Sequence, residues 1–173
     1  MDPVVLILRV LHIVFGVFWV GAAFAFFLYV RPSAKALGPD GQGAFMNQLV
    51  GVRQFPRAIL VSGTITVIAG ALLYYRDSNG LGMRWITSPT GLGFTIGALA
   101  AIVSLAIGIL VIEPSIKRMR ALGGQLRSEA RPPSPAEAAE LGALDRRLTL
   151  VGQINLVLLA IAVVLMATAR YLG

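Results

Sequence analysis

The chain of 173 residues contains no cysteine and a single histidine. The absence of cysteine excludes disulfide bonds, thiolate metal sites and thiol catalysis, and it leaves the redox compartment undetermined. One histidine alone also excludes metal motifs that need two. The sequence also has no glycine-rich phosphate-binding loop. Thiol sites, two-histidine metal motifs and phosphate-binding loops are signatures of soluble enzymes, and all three are missing.

Charged residues are also scarce, at 13% of the chain, while 57% of residues are hydrophobic. Soluble domains contain about 25% charged and about 45–50% apolar residues. Since backbone polar groups cannot stay unpaired in lipid, an apolar run of about 18 residues or more is expected to cross the membrane as a helix. The pattern predicts an all-α fold: a polytopic membrane protein whose single domain is a four-helix transmembrane bundle. The four spans cover about residues 4–30, 58–75, 91–112 and 148–169.

The positive charge is unevenly distributed. Eleven of the fifteen Lys and Arg residues fall in the segments 31–57 and 113–147. Cytoplasmic loops of membrane proteins collect Lys and Arg, so both segments are predicted to be cytoplasmic and both termini outside. The net charge of +7 therefore indicates topology, with attraction to anionic lipid, rather than nucleic-acid binding. A bacterial inner membrane fits this composition.

The first basic loop is predicted to hold a short helix. Arg31-Pro32 predicts the end of the first span, because a residue before proline is biased away from helix. A turn-rich stretch, 37–43, follows. Apolar residues then recur at helical spacing over 44–55, which indicates an amphipathic helix on the membrane surface. Pro56 is expected to open the second span.

The second basic loop, about 116–147, is predicted to be a cytoplasmic helical loop. Its first part, 116–129, is expected to continue the third span as a helix. The proline-rich stretch 131–135 breaks that helix. Ser134 and Glu137 have the spacing of a capping box that opens a helix over 136–147.

His12 is the strongest candidate for chemistry. An ionisable side chain inside a membrane helix is costly, so it usually has a partner, a cofactor or water. His12 can ligate a haem iron or a copper ion, with Gly16 leaving room for a flat ring and Trp19 lining it. Arg9 is either a clamp for a carboxylate or propionate or a snorkelling interfacial residue. The alternative for His12 is a hydrogen bond to a neighbouring helix or contact with water.

Other polar and small residues suggest structural roles. Glu113 borders the third span, and Arg53, Arg57 and Arg146 lie on the same side, which predicts structural ion pairs there, with a proton or substrate role as the alternative. Small residues at four-residue spacing predict close helix packing, within one bundle or in a homodimer. Gln153 and Asn155 are expected to form interhelical hydrogen bonds. The small-residue stripes are Ser62, Thr66 and Gly70, and Gly93, Gly97 and Ala101.

The chain resembles the copper-resistance-D-like (CopD/HemJ-like) integral membrane proteins, which include the HemJ-type protoporphyrinogen oxidases. The likeness covers most of the chain through short motifs. It is carried by Leu11-His12, Phe18-Trp19-Val20-Gly21, Phe24, Arg31-Pro32, Phe45-Met46, Arg53, Pro56, Gly70, Trp85, Asp145-Arg146-Arg147 and Asn155.

This resemblance implies haem b held through the first-span histidine, matched here by His12. The HemJ-type relatives also need a lysine in their third span, whereas 91–112 contains none and Lys117 lies beyond it. The sequence therefore predicts the scaffold and the histidine without the full oxidase set, and enzymatic activity stays open. We expect a membrane protein that uses bound haem or metal for electron transfer, sensing or haem handling, in a homodimer or a larger complex. The alternatives are a copper-homeostasis transporter or accessory protein, for which Met and His are few, and a structural subunit of a larger membrane complex.

Overall fold

The computed structural model describes residues 2–173, except for the side chains of Pro39 and Asp40. Within that part of the chain the regular structure is helical and contains no strand, so the all-α prediction is confirmed. Four helices are long and apolar enough to cross a membrane: α1 (Pro3–Ala36), α3 (Phe55–Asp77), α5 (Pro89–Ser128) and α6 (Pro135–Tyr171). Two short helices, α2 (Gly38–Met46) and α4 (Met83–Ile86), lie in the connections.

Most of the apolar surface of these helices faces outward. In the most apolar 18-residue stretch of each helix, only 11% to 22% of the residues are buried in the protein. A helix that is apolar around most of its circumference needs an apolar environment on its outer side as well. The protein is therefore a multi-pass membrane protein.

The four long helices associate as two antiparallel pairs. Helix α1 packs along α3, and α5 packs along α6, while contacts between the pairs are sparser. Trp19, Ala23 and Leu159 form the buried centre where the pairs meet. Both chain termini lie at one end of the bundle, called the termini end here. The basic segments 31–57 and 113–147 lie at the other, the loop end.

Helix α1 does not end at Arg31-Pro32, so that prediction was wrong. It passes through a π-helical turn, Phe26–Val30, in which the N–H of Arg31 bonds the carbonyl of Phe26 five residues back. Helix α5 repeats this arrangement before Pro114, where the N–H of Glu113 bonds the carbonyl of Gly108. The wider turn accommodates a proline ring that would otherwise clash with the preceding helical turn.

The first basic loop also differs from its prediction. The turn-rich stretch 37–43 is largely helical, because Gly38 adopts a left-handed φ of 73° and α2 begins there. Helix α2 leads into a π-helical turn, Asn47–Val52, so the helix predicted over 44–55 starts earlier and ends sooner. The chain then turns at Gln54, whose φ is 52°, and Pro56 lies in the first turn of α3 as predicted.

The local predictions for the second basic loop are confirmed. Helix α5 continues beyond the span to Ser128, and both hydrogen bonds of the Ser134–Glu137 capping box are present. Helix α6 does not end at Arg147, however, and its α-helical part runs unbroken to Thr168.

Between the helices, hydrogen bonds to Glu137 and Glu129 raise the pKa of Arg131. Bonds from Gln125 and Arg131 lower the pKa of Glu129.

Candidate functional site

His12 lies about 14 Å along α1 from Pro3, within the apolar span. Its imidazole Nδ1 is 2.8 Å from the carbonyl oxygen of Thr66 on α3. Because a carbonyl oxygen only accepts hydrogen bonds, Nδ1 carries the proton and donates. In the neutral ring the lone pair then lies on Nε2. The interhelical bond considered for His12 from the sequence is therefore present.

Gly70 provides the space that the imidazole occupies. A Cβ atom at this position would lie 2.7 Å from His12 Cε1 and 2.9 Å from Nδ1. Real Cβ contacts are longer than this, so any other residue at position 70 would displace the ring. Helix α3 thus orients the imidazole twice, through the Thr66 carbonyl and through the missing side chain of Gly70.

We call the contact between α1 and α3 the α1–α3 seam. Elsewhere along this seam, a side chain of one helix likewise lies against a glycine of the other. A Cβ at Gly63 would lie 2.9 Å from Trp19 Cε2, and one at Gly16 would lie 3.3 Å from Thr66 Cγ2. The space beside Gly16 is therefore occupied by Thr66, and the prediction of room for a flat ring there was wrong. Trp19 is 4% exposed and belongs to the buried core.

Arg9 is exposed, one turn before His12 on α1. Within residues 2–173 it makes no ion pair or hydrogen bond, so the structure does not join it to His12. Both of its predicted roles, clamp and snorkelling residue, stay predictions.

The predicted ion pairs of Glu113 with Arg53, Arg57 and Arg146 are not formed in the described structure. Glu113 instead pairs with Lys117 at 2.8 Å. Lys117 lies one turn later on the same helix, so this pair needs no approach of a second helix. The guanidinium of Arg57 donates to the side-chain oxygen of Gln54.

Asp145 joins α6 to α1 at the loop end. It pairs with Arg31 at 2.7 Å and with Lys35 at 2.8 Å, and Arg31 also donates to Thr149. The spacing gives a signal for this cluster, because Arg31 and Lys35 are four residues apart, as are Asp145 and Thr149. The cluster was not predicted because α1 was expected to end at Arg31. Arg31 and Lys35 lie on one helical face only if α1 continues beyond that residue.

Two buried polar atoms have no hydrogen-bond partner among the described residues. They are Ser104 Oγ and Asn155 Oδ1, in residues that are 1% and 6% exposed. Gln153, the other residue expected to bond between helices, is exposed. Among the described residues, the interhelical bonds predicted for Gln153 and Asn155 are not formed.

No family model, curated protein or solved structure matches this chain. Among the side chains that the structure describes, no group of three or more His, Cys, Asp or Glu lies close enough together to hold a metal ion. His12 therefore stands as a single oriented imidazole in an apolar span. Such a residue can supply one nitrogen ligand to a group that carries its own coordination sphere.

Proposed function

We propose that this membrane protein binds haem b or a metal ion through Nε2 of His12. The observation that carries the proposal is the hydrogen bond from Nδ1–H to the Thr66 carbonyl. Histidine ligands of metals commonly donate their other ring N–H to a carbonyl or carboxylate, which fixes the tautomer and the ring orientation. Haem b is preferred over copper because copper sites favour clusters of Cys, Met or His.

The packing restricts where such a group can bind. Thr66 and Gly70 close the α1–α3 seam around the imidazole, so a flat ring does not fit between these helices. His12 is half-buried rather than enclosed, which leaves access from outside the seam. A second histidine ligand has to come from another molecule, and a homodimer would bring two copies of His12 together. Haem, when bound, supplies one-electron chemistry, suited to electron transfer, sensing or haem handling.

The location follows from charge. The loop end carries eleven of the fifteen Lys and Arg residues, so we place it in the cytoplasm and both termini outside, in a bacterial inner membrane. The resemblance to copper-resistance-D-like proteins, in which a first-span histidine is tied to haem b, supports the role proposed for His12. Because 91–112 contains no lysine, protoporphyrinogen oxidase activity is not proposed.

An absorption spectrum tests the proposal. Protein purified from haem-supplied cells should show a Soret band, and His12→Asn should lose it. Asparagine places an N–H near the position of Nδ1, so this variant retains a donor for the Thr66 carbonyl while removing the Nε2 ligand. The matched control is Thr66→Val, which leaves the backbone carbonyl in place and should retain the band.

A structural subunit is the second candidate, favoured by the contact between His12 and Gly70. If His12 serves only in packing, the wild-type protein is colourless after haem supply, and His12→Asn lowers the melting temperature because the contact of the imidazole with Gly70 is lost. Binding of copper to the wild type but not to His12→Asn would instead support a copper site. A colourless, copper-free wild type overturns the proposed ligand role.

A further inference from the structure

The loop end of the bundle carries more positive charge than its own acids neutralise. The segments 31–57 and 113–147 together contain eleven Lys and Arg residues against six Asp and Glu residues, a net charge of +5. This excess holds whatever the side chain of Asp40 contacts, because that residue is included in the six.

Each acid whose side chain the structure describes at this end already has a cationic partner. Three cations and one Arg–Lys couple share them, so the excess falls on the arginines that remain. The pairs are Glu113 with Lys117, Glu129 and Glu137 with Arg131, Glu140 with Arg118, and Asp145 with Arg31 and Lys35. Arginines with no ion pair to these acids are Arg53, Arg57, Arg120, Arg127, Arg146 and Arg147.

Three of these arginines lie at one contact between segments or within a few residues of it along the chain, and we call them the arginine patch: Arg53, Arg57 and Arg120. The guanidinium of Arg120 reaches from the extension of α5 to Gly51, where a Cβ atom would lie 3.1 Å from its Nη2. Arg53 follows Gly51 by two residues, and Arg57 lies in the first turn of α3. All three side chains are exposed.

The patch lies at the boundary between hydrocarbon and water. Arg57 directly precedes the apolar span 58–75, so lipid headgroups surround the protein at this level. Guanidinium groups bind phosphate oxygens in a forked geometry, and basic residues close to a membrane surface attract anionic lipids. The hydrogen bond from Arg57 to the neutral Gln54 amide does not neutralise the charge of the guanidinium.

We propose that Arg53, Arg57 and Arg120 bind the headgroup phosphate of an anionic phospholipid of the surrounding membrane. A lipid is favoured over free phosphate because headgroups are always present at this depth, at high local concentration. The proposal does not rest on ligation by His12, and failure of either leaves the other intact.

Native mass spectrometry of the full chain tests this proposal. The protein is equilibrated with equimolar phosphatidylglycerol and phosphatidylcholine, and the retained lipids are counted. The wild type should retain phosphatidylglycerol preferentially. The triple variant R53Q/R57Q/R120Q should lower that preference by up to about fivefold for each charge removed. Circular dichroism and gel filtration verify that the variant is folded.

The control variant K35Q/K117Q/R118Q removes the same number of charges from the loop end, but from residues that already have acidic partners. It should retain most of the preference. R53K/R57K/R120K should retain the part that depends on charge and lose the part that depends on the forked geometry of the guanidinium groups. Equal losses in both glutamine triples would show a response to overall charge and overturn the proposed site. Retention of inorganic phosphate by the wild type without any preference between the two lipids would also overturn it, since the ligand would then be free phosphate.

Discussion

The imidazole of His12 lies against the bare α-carbon of Gly70, where a Cβ atom would be 2.7 Å from its Cε1. The two residues are on different helices and 58 positions apart. Their contact lets α1 and α3 approach closely while the Nδ1–H of His12 bonds the Thr66 carbonyl. Gly70 thus controls both the spacing of the helices and the orientation of the ring.

Replacing Gly70 with alanine should displace the imidazole. We expect Gly70→Ala to lower the free energy of unfolding by about 1–3 kcal/mol, the usual cost of an added methyl in a close-packed site. Thermal unfolding in detergent measures this. The matched control is Gly21→Ala, because a Cβ at Gly21 meets nothing within 4 Å. Equal melting temperatures for Gly70→Ala and the wild type would contradict the contact.

The Asp145 cluster should stabilise the bundle more than the Glu113 pair does. The side chain of Arg31 is 15% exposed, whereas that of Lys117 is 72% exposed. Asp145→Asn should therefore cost about 1–3 kcal/mol, because it weakens hydrogen bonds to two charged groups. Glu113→Gln removes a solvent-screened pair on one helix and should cost about 0.3–0.5 kcal/mol. Chemical unfolding of both variants measures the difference, and equal losses would contradict it.

Asn155 should tolerate an apolar replacement. Its Oδ1 is buried without a partner in the described structure, and such an atom costs about 1–3 kcal/mol. Asn155→Leu, which has the same number of side-chain heavy atoms with the same branching, should therefore raise the melting temperature. Asn155→Ala serves as the control, since it also removes the amide but leaves a cavity. Destabilisation by leucine as large as that by alanine would show that the amide has a polar partner.

The absence of cysteine permits a direct test of topology. Thr87 at the termini end and Ser128 at the loop end are both exposed. In intact cells, an impermeant maleimide should label Thr87→Cys but label Ser128→Cys only after lysis. The cysteine-free wild type is the background control. The opposite labelling pattern would place the basic loops outside.

Local signals predicted the local features well. The capping box at Ser134 and the extension of α5 beyond the third span depend on residues within a few positions, and both are present. The helix end predicted at Pro32 was wrong because the effect of a proline is predicted from the residues next to it. The π-helical turn before Pro32 changes the hydrogen bonding over a longer stretch. Because α1 was expected to end at Pro32, the contact of Arg31 with Asp145 could not be predicted.

The sequence by itself determined that the chain has four membrane-crossing helices, because hydrocarbon thickness and backbone hydrogen bonding act on each segment separately. It also singled out His12, since the cost of an ionisable group in lipid needs no knowledge of its neighbours. Only the tertiary structure decided that Gly70 and the Thr66 carbonyl orient that ring, and that Thr66 fills the space beside Gly16. Which side chain of one helix lies against which glycine of the other depends on the register between the two helices. Residues 58 positions apart carry no local signal of that register.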